Sequence, residues 1–255
     1  MSFFDFMNGV FWPLRRVNTN NKPVLQIVPQ PEVIQDQPIL VVEKPIVPLL
    51  DLASVTYRES PNKSDRKDQI RGIVLHHTGP GTFDGIVNWL INPVAKVSAH
   101  YVVGVVGELT QLVNTQRKAW HAGPSKYTLD GVVRNDLNHC TIGIEICNIG
   151  VVHKYDDGKF YYELGARQAE YKGKIAPQEA SITYPSGKVL SGYFIPYPKV
   201  QTDKVVELCK ALVAKYPQIG REDIMTHFNI ALPEGIKNDP FGLDIQNIIN
   251  RIFGE

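Results

Sequence analysis

Histidine and carboxylate side chains stand where strands of this sequence should end. His76 and His77 close a short apolar run that is bounded by turn residues, which is typical of a buried strand. His227 closes a second short apolar segment, and Asp239 follows it twelve residues later. Open α/β folds hold their ligands at the carboxyl ends of strands. Two imidazoles and one carboxylate leave a fourth tetrahedral position open, which is the pattern of a catalytic zinc site.

Glu145 and Lys237 carry charge beside these candidate ligands. Glu145 interrupts an apolar strand, where a charge is costly unless it is paired or near a metal. Such a carboxylate can take a proton from water that zinc activates, and Lys237 can neutralise an oxyanion. Scattered histidines and aspartates bind no metal in most proteins. The spacing alone therefore leaves open whether a metal binds and which of His76 and His77 would hold it.

The composition is that of an ordinary globular domain and disfavours several classes of protein. The 255 residues are 43% apolar and 21% charged, with a formal net charge of +1. The net charge is close to zero and the sequence has no dense basic run, so nothing in it predicts nucleic-acid binding. The apolar runs are too short for a transmembrane helix. Three cysteines without a C-x-x-C pair favour free or buried thiols made in a reducing compartment.

The first sixty residues differ from the rest and predict an N-terminal arm at 1–60, followed by a domain at 61–255. Residues 1–16 have the spacing of a short amphipathic helix, and six prolines interrupt the apolar segment 17–50. Proline excludes a central strand, so this segment suits a sheet edge or the surface of a partner. Helix 1–16 could also pack on its own domain. The chain start lacks the basic region and cleavage site of a secretory signal, so we expect synthesis in the cytoplasm.

The remaining chain alternates strands and helices, which predicts an α/β fold with a mixed central sheet flanked by helices. We expect strands at 70–76, 98–103, 109–113, 141–146 and 224–227, and helices at 82–91, 202–216 and 244–253. In the first helix, Ile86, Trp89 and Leu90 should face inward. Residues 150–196 have no strong periodicity and indicate an inserted, irregular surface lobe.

Five segments, in order, resemble the zinc-dependent N-acetylmuramoyl-L-alanine amidases. This family includes phage lysins, bacterial recycling amidases and peptidoglycan recognition proteins. The segments are 73–78 (IVLHHT), 97–103 (VSAHYVV), 119–123 (AWHAG), 137–148 (ending in IGIEICN) and 226–240 (TH, then KNDP). The resemblance covers residues 70–245, leaves out the arm and covers the lobe only loosely. It implies the amidase and peptidoglycan-recognition-like fold.

The resemblance also implies a role for each matching residue in catalysis. The implied Zn²⁺ ligands are His76, His227 and Asp239. Glu145 is the implied base, because the branch of the family that uses a tyrosine instead has it where this chain has Ala99. Lys237 matches the catalytic lysine of the family.

Other residues in the matching segments are candidates for supporting roles. His77 is expected to support the site or to pack. His121, His100 and Tyr101 are candidate substrate contacts, with a structural role as the alternative for His100. No organic cofactor is expected beside Zn²⁺.

The implied reaction is hydrolysis of the amide bond between N-acetylmuramic acid and L-alanine in peptidoglycan. We expect a lysin that degrades the cell wall, either released at lysis or carried on a virion or secretion assembly through residues 1–60. One alternative is a peptidoglycan-binding or structural module without turnover. The other is a cytoplasmic amidase that recycles muropeptides.

Overall fold

The structure, a computed structural model, describes residues 48–164 and 167–254. Within these ranges the strands are, in chain order, β1 (Thr56–Tyr57), β2 (Lys63–Asp65), β3 (Gly72–His77), β4 (Tyr101–Val103), β5 (Leu109–Gln111), β6 (Arg117–Ala119), β7 (Lys126–Leu129), β8 (Val132–Asn135), β9 (Thr141–Ile146), β10 (Val151–Lys154), β11 (Phe160–Leu164), β12 (Arg167–Glu170), β13 (Gln178–Thr183), β14 (Val189–Phe194) and β15 (Ile224–Thr226). The α-helices are α1 (Phe83–Leu90), α2 (Lys199–Lys215), α3 (His227–Ile230) and α4 (Ile245–Phe253). Among the described residues, no helix has the length and apolar character needed to cross a membrane.

The main sheet has six strands in the order β1-β5-β4-β9-β3-β15. Strands β4, β9, β3 and β15 are parallel to one another, whereas β5 is antiparallel to β4. The predicted mixed α/β fold is therefore confirmed. All the strands and helices expected between residues 70 and 253 are present, with ends shifted by at most three residues. Because β9, β3 and β15 are parallel neighbours, their carboxyl ends meet at one edge of the sheet.

One face of the main sheet packs against α2 and α4. Ile73, Leu75 and Ile144 are fully buried there with Leu208 of α2 and Ile248 of α4. Burying each such side chain contributes roughly 1.5–3 kcal/mol relative to leaving it exposed. Successive strand residues point to opposite faces, so this packing fixes the even-numbered residues of β3 on the other face.

Residues 150–196 form a second sheet, so the prediction of an irregular lobe was wrong. Five antiparallel strands lie in the order β12-β11-β10-β14-β13. Most of their side chains remain exposed or half-buried, which weakens the apolar–polar alternation by which a strand is recognised. The lobe is attached through Ile182 and Phe194, which pack with Phe241 near the end of the domain.

The end of the predicted arm belongs to the main sheet. Thr56–Tyr57 forms β1 and pairs with β5, so the packed domain begins before the predicted boundary at residue 60. Residues 1–47 lie outside the described residues. They include the predicted amphipathic helix 1–16 and most of the proline-rich segment 17–50. The docking role of the arm stays a prediction.

Candidate metal centre and active-site cleft

His76 and His227 are neighbours because β3 and β15 are adjacent and parallel. Leu75 pairs with Thr226, so the next residue of each chain segment reaches the same edge of the sheet. Both imidazoles are buried, and their ring centroids lie 4.5 Å apart. The structure thus brings together the two strand ends that were candidates in the sequence.

Asp239 lies between the two imidazoles. Its Oδ2 is 3.2 Å from Nδ1 of His76 and 3.0 Å from Nδ1 of His227. The three potential ligand atoms all lie within 4.8 Å of one another. A tetrahedral Zn²⁺ with bonds of about 2.0–2.1 Å separates its ligand atoms by about 3.3 Å. The donor types and their spacing therefore fit such an ion.

The protonation states also suit a cation. Burial, followed by the nearby His227, lowers the pKa of His76 to about 4, so this ring is neutral at pH 7. Burial alone would raise the pKa of Asp239, but the hydrogen bonds with the two histidines hold it well below its usual range. A neutral imidazole and an ionised carboxylate are the forms that bind metals.

Glu145 lies beside this cluster on β9. It pairs with His76 in the β3–β9 register, so the two side chains share one face of the sheet. Its Oε2 is inaccessible to solvent and has no hydrogen-bond partner among the described residues. Burial, with a further contribution from Asp239, raises the pKa of Glu145 to about 8, and Lys237 opposes this shift. A carboxylate of such basicity is suited to accept a proton near neutral pH.

A cleft of about 570 Å³ opens above these groups. Lys237, which is exposed, and His121 line it together with the three candidate ligands and Glu145. Sequence reasoning missed Tyr184 and Lys188 of the lobe, because no motif marks them. It also placed Trp89 inside the fold, whereas this side chain is 52% exposed and lines the cleft.

The lobe holds the loop that carries Lys237. The hydroxyl of Tyr184 donates to the carbonyl oxygen of Lys237 at 3.1 Å. Two residues further along the lobe, the backbone N–H of Ser186 donates to Glu234 Oε2 at 3.0 Å. These contacts fix the backbone that presents the lysine ammonium to the cleft.

Replacing Tyr184 with phenylalanine should lower kcat while leaving the fold intact. The change removes the hydrogen bond to the Lys237 carbonyl, and a bond of this kind contributes about 0.5–1.5 kcal/mol net. We therefore expect a loss of about 3- to 10-fold in turnover of the peptidoglycan fragments that the sequence resemblance implies as substrate. The control is Tyr193→Phe, which removes a lobe hydroxyl bonded to Glu179 on the lobe itself. Equal losses in both variants would contradict a specific role for Tyr184.

His77 stands outside the cluster of potential ligands and supports the turn that follows Asp239. Its Nδ1 accepts a hydrogen bond from the backbone N–H of Phe241 at 3.2 Å. The other side of the ring lies against Gly150, where a Cβ would come within 2.5 Å of Nε2. His77 therefore touches the backbone on both sides of the site, as its expected supporting role requires.

His121 lies directly beneath His76. Its Nδ1 is 3.1 Å from Nε2 of His76, and its ring is buried at the base of the cleft. Burial, with His76 and His100 next, lowers the pKa of His121 well below the usual value, so the ring is neutral. Gly143 makes room for it, because a Cβ there would lie 2.4 Å from the imidazole Cγ.

Replacing Gly143 with alanine should therefore destabilise the protein by about 1–3 kcal/mol, the usual cost of overpacking. The measurement is urea unfolding of the wild type and the variant. Gly192 is the matched control, since it also lies in a strand and its Cβ would make only ordinary contacts at 3.6 Å. If Gly143→Ala were no less stable than Gly192→Ala, the close packing of His121 would be disproved.

The structure does not support His100 and Tyr101 as substrate contacts. Tyr101 pairs with Ile144 and packs in the core against α2 and α4, on the face opposite the cleft. His100 is fully buried, accepts from the Gly143 N–H through Nδ1, and has Arg66 2.9 Å from Nε2. Neither residue lines the cleft, so the structural alternative applies to His100 and a core position to Tyr101.

Comparisons with known proteins identify the family of this chain. The family model for N-acetylmuramoyl-L-alanine amidase matches residues 66–242. The chain is 36% identical over 87 residues to N-acetylmuramoyl-L-alanine amidase A of Achromobacter lyticus, over 34% of this chain and 42% of that protein. It is 29% identical over 179 residues to the amidase AmiD of Escherichia coli, over 68% of this chain and 49% of AmiD. The chain thus matches about half the length of these curated relatives.

One solved structure has the same fold. The crystal structure of a selenomethionine derivative of AmpD aligns with a TM-score of 0.52 at 24% identity, over 80% of this chain and 98% of AmpD. At this identity the likeness concerns the fold alone. The family match covers five of the six strands of the main sheet, all except β1, and includes all three candidate ligands, Glu145 and Lys237. The chain therefore belongs to the N-acetylmuramoyl-L-alanine amidase family.

Proposed function

We propose that this chain hydrolyses the amide bond between N-acetylmuramic acid and L-alanine in peptidoglycan, with Zn²⁺ held by His76, His227 and Asp239. The observation that carries the proposal is the convergence of these three ligand atoms within 4.8 Å at the base of an open cleft. Membership of the amidase family supports the same reaction.

We assign a residue to each step that the protein itself performs. Bound Zn²⁺ would supply Lewis-acid activation of water and of the scissile carbonyl. Glu145, which lines the cleft, accepts the proton of the attacking water and then passes it to the leaving amine. Lys237 provides positive charge for the oxyanion of the tetrahedral intermediate, and removal of such a group typically costs about 10²- to 10³-fold in rate.

A binding module without turnover is the alternative from a different functional class. Such a module needs a cleft but no proton acceptor. Glu145 favours the enzyme, because a buried carboxylate oxygen without a hydrogen-bond partner among the described residues costs stability. Lys237 favours it as well, because its side chain is free to enter the cleft.

The biological setting is a further part of the proposal. We propose that the enzyme is made in the cytoplasm and degrades the cell wall, released at lysis or carried on a virion or secretion assembly by its N-terminal segment. The apolar, proline-rich composition of residues 17–50 supports an attachment role. A recycling amidase would instead act on soluble muropeptides and would have no use for such a segment.

The test is an assay of the full chain on purified peptidoglycan and on soluble anhydro-muropeptides. Mass spectrometry should detect stem peptides with a free N-terminal L-alanine, and a chelator should abolish their release. Cleavage of sacculi supports a lysin, whereas cleavage of soluble fragments alone supports the recycling alternative. A protein that binds peptidoglycan and zinc but releases no peptide would be a binding module.

A further inference from the structure

The two sides of the cleft differ in charge. Strands β9 and β3, which carry Glu145 and His76, lie between β4 on one side and β15 on the other. On the β15 side, the loop after α3 presents Lys237, and the tip of the β13–β14 hairpin adds Lys188. Both lysine side chains are exposed, so this side of the cleft is cationic.

Helix α1 forms the other side, above β4. Its Leu90 is buried with Val102 of β4, and Val102 pairs with Glu145, so the helix covers the face of the sheet that carries the cleft. Ile86 and Trp89 of the same helix line the cleft together with Leu90. None of these α1 side chains is charged, so this side is apolar and aromatic.

A second cavity of about 780 Å³ continues the cleft along α1, and its volume lies in the range of ligand sites. Thr78, Ile86 and Trp89 line both spaces. The lobe contributes Glu163 and Leu164 from the end of β11 to the second cavity alone. Trp89 is 52% exposed, so a molecule that fills both spaces contacts its indole ring on the way.

The lining of the second cavity suits an uncharged saccharide better than a peptide. The substrate of the proposed function has a glycan part and a stem peptide, and a peptide ends in an ionised carboxylate. That carboxylate is attracted by Lys188 and Lys237 but repelled by the exposed Glu163. An uncharged sugar can place its C–H face on the ring of Trp89 and donate hydroxyl groups to Glu163.

We propose that the second cavity is a subsite for the glycan strand of polymeric peptidoglycan, which passes over Trp89, while the stem peptide lies toward Lys188 and Lys237. This inference rests on the proposed function and narrows its substrate class to long glycan strands. A subsite beside the reaction centre increases the affinity for strands that reach it and adds nothing to a strand that ends before it.

The first test measures binding by isothermal titration calorimetry and needs no turnover. The probes are the dimer and the hexamer of N-acetylglucosamine, both uncharged, and a free stem peptide. The full-length wild type should bind the hexamer about 10-fold more tightly than the dimer, because only the longer probe reaches both spaces. Equal affinities for the two probes would overturn the proposal.

Variants then locate the hexamer. Trp89→Ala should lower hexamer affinity about 10-fold, as truncation of a tryptophan anchor typically does. Trp89→Phe keeps an aromatic face and should stay within about 3-fold of the wild type. Leu164→Ala, which alters only the second cavity, should lower hexamer affinity about 3-fold. The control is Val94→Ala, since Val94 is 75% exposed just after α1, lines neither space and should not matter.

Two results with these variants would contradict the proposal. Full hexamer affinity in Trp89→Ala or in Leu164→Ala would show that the glycan does not enter the second cavity. A loss of affinity for the stem peptide, with hexamer affinity unchanged, would assign the cavity to the peptide instead.

The second test compares kcat/KM for soluble muropeptides that carry the same stem peptide on one or on four disaccharides. The wild type should prefer the longer substrate about 10-fold, and Trp89→Ala should lose this preference. Equal kcat/KM values for the two lengths in the wild type would overturn the subsite. If the wild type released no peptide from either substrate, the proposed function would fail, and the calorimetry would still decide whether the second cavity binds saccharide.

Discussion

Glu145→Gln should lose about 10²- to 10⁴-fold in kcat on peptidoglycan, the range of general acid–base catalysis, while zinc still binds. Glutamine has nearly the same shape but cannot accept the proton of the attacking water. Glu145 is not among the three groups whose ligand atoms converge, so zinc content should be unchanged. Stem-peptide release and metal analysis of the same sample would check both parts.

The matched control for this variant is Glu108→Gln. Glu108 lies in the turn between β4 and β5, where Oε2 accepts from the Val106 N–H, and it does not line the cleft. Its replacement should leave kcat unchanged. Full activity of Glu145→Gln would show that another group takes the proton. Loss of zinc together with activity would instead place Glu145 among the metal ligands.

The raised pKa of Glu145 also predicts how stability depends on pH in the metal-free protein. Its pKa is about 8 in the folded state, against 4.5 for the free side chain. Between these values the folded state binds more protons than the unfolded state, so the free energy of unfolding falls as pH rises. In urea unfolding from pH 5 to pH 8, Glu145→Gln should lose less stability than the wild type.

The positions of two candidate ligands could be predicted from the sequence because adjacent parallel strands end at a common edge. His76 lies at the end of the apolar strand β3 and His227 follows β15, and strand ends are well defined by their turn residues. Asp239 is different, since α3 and the loop after it bring it back to the site, and its place depends on packing that no local pattern encodes. The sequence made it a candidate by residue type and position, the resemblance to the family implied a ligand role, and the structure places it beside the two histidines.

The alternation of side chains along a strand already argues against one prediction, that His100 and Tyr101 both contact the substrate. Neighbouring residues of a strand point to opposite faces, so His100 and Tyr101 could not both line one cleft. The contact between the lobe and the Lys237 loop could not be predicted from the sequence. Tyr184 reaches Lys237 across 53 residues of chain, and the strands that carry it there bury too little on either face to show a clear pattern.

Asp239→Asn should reduce zinc affinity by more than about 10²-fold, because even residues that only orient metal ligands contribute 10- to 100-fold. The asparagine keeps the volume of the side chain but removes the negative charge between two buried imidazoles. Affinity would be measured by chelator competition, and stem-peptide release should fall in parallel and recover only at high added zinc.

The control is Asp223→Asn, at a buried aspartate that accepts from the Gly220 N–H at 2.8 Å, just before β15. That variant tests the general cost of neutralising a buried carboxylate near the same strand, and its zinc affinity should equal that of the wild type. Wild-type affinity in Asp239→Asn would mean that the carboxylate only supports the two histidines. The metal would then need its third ligand from another residue of the cleft, and Glu145 is the other carboxylate among the described residues that line it.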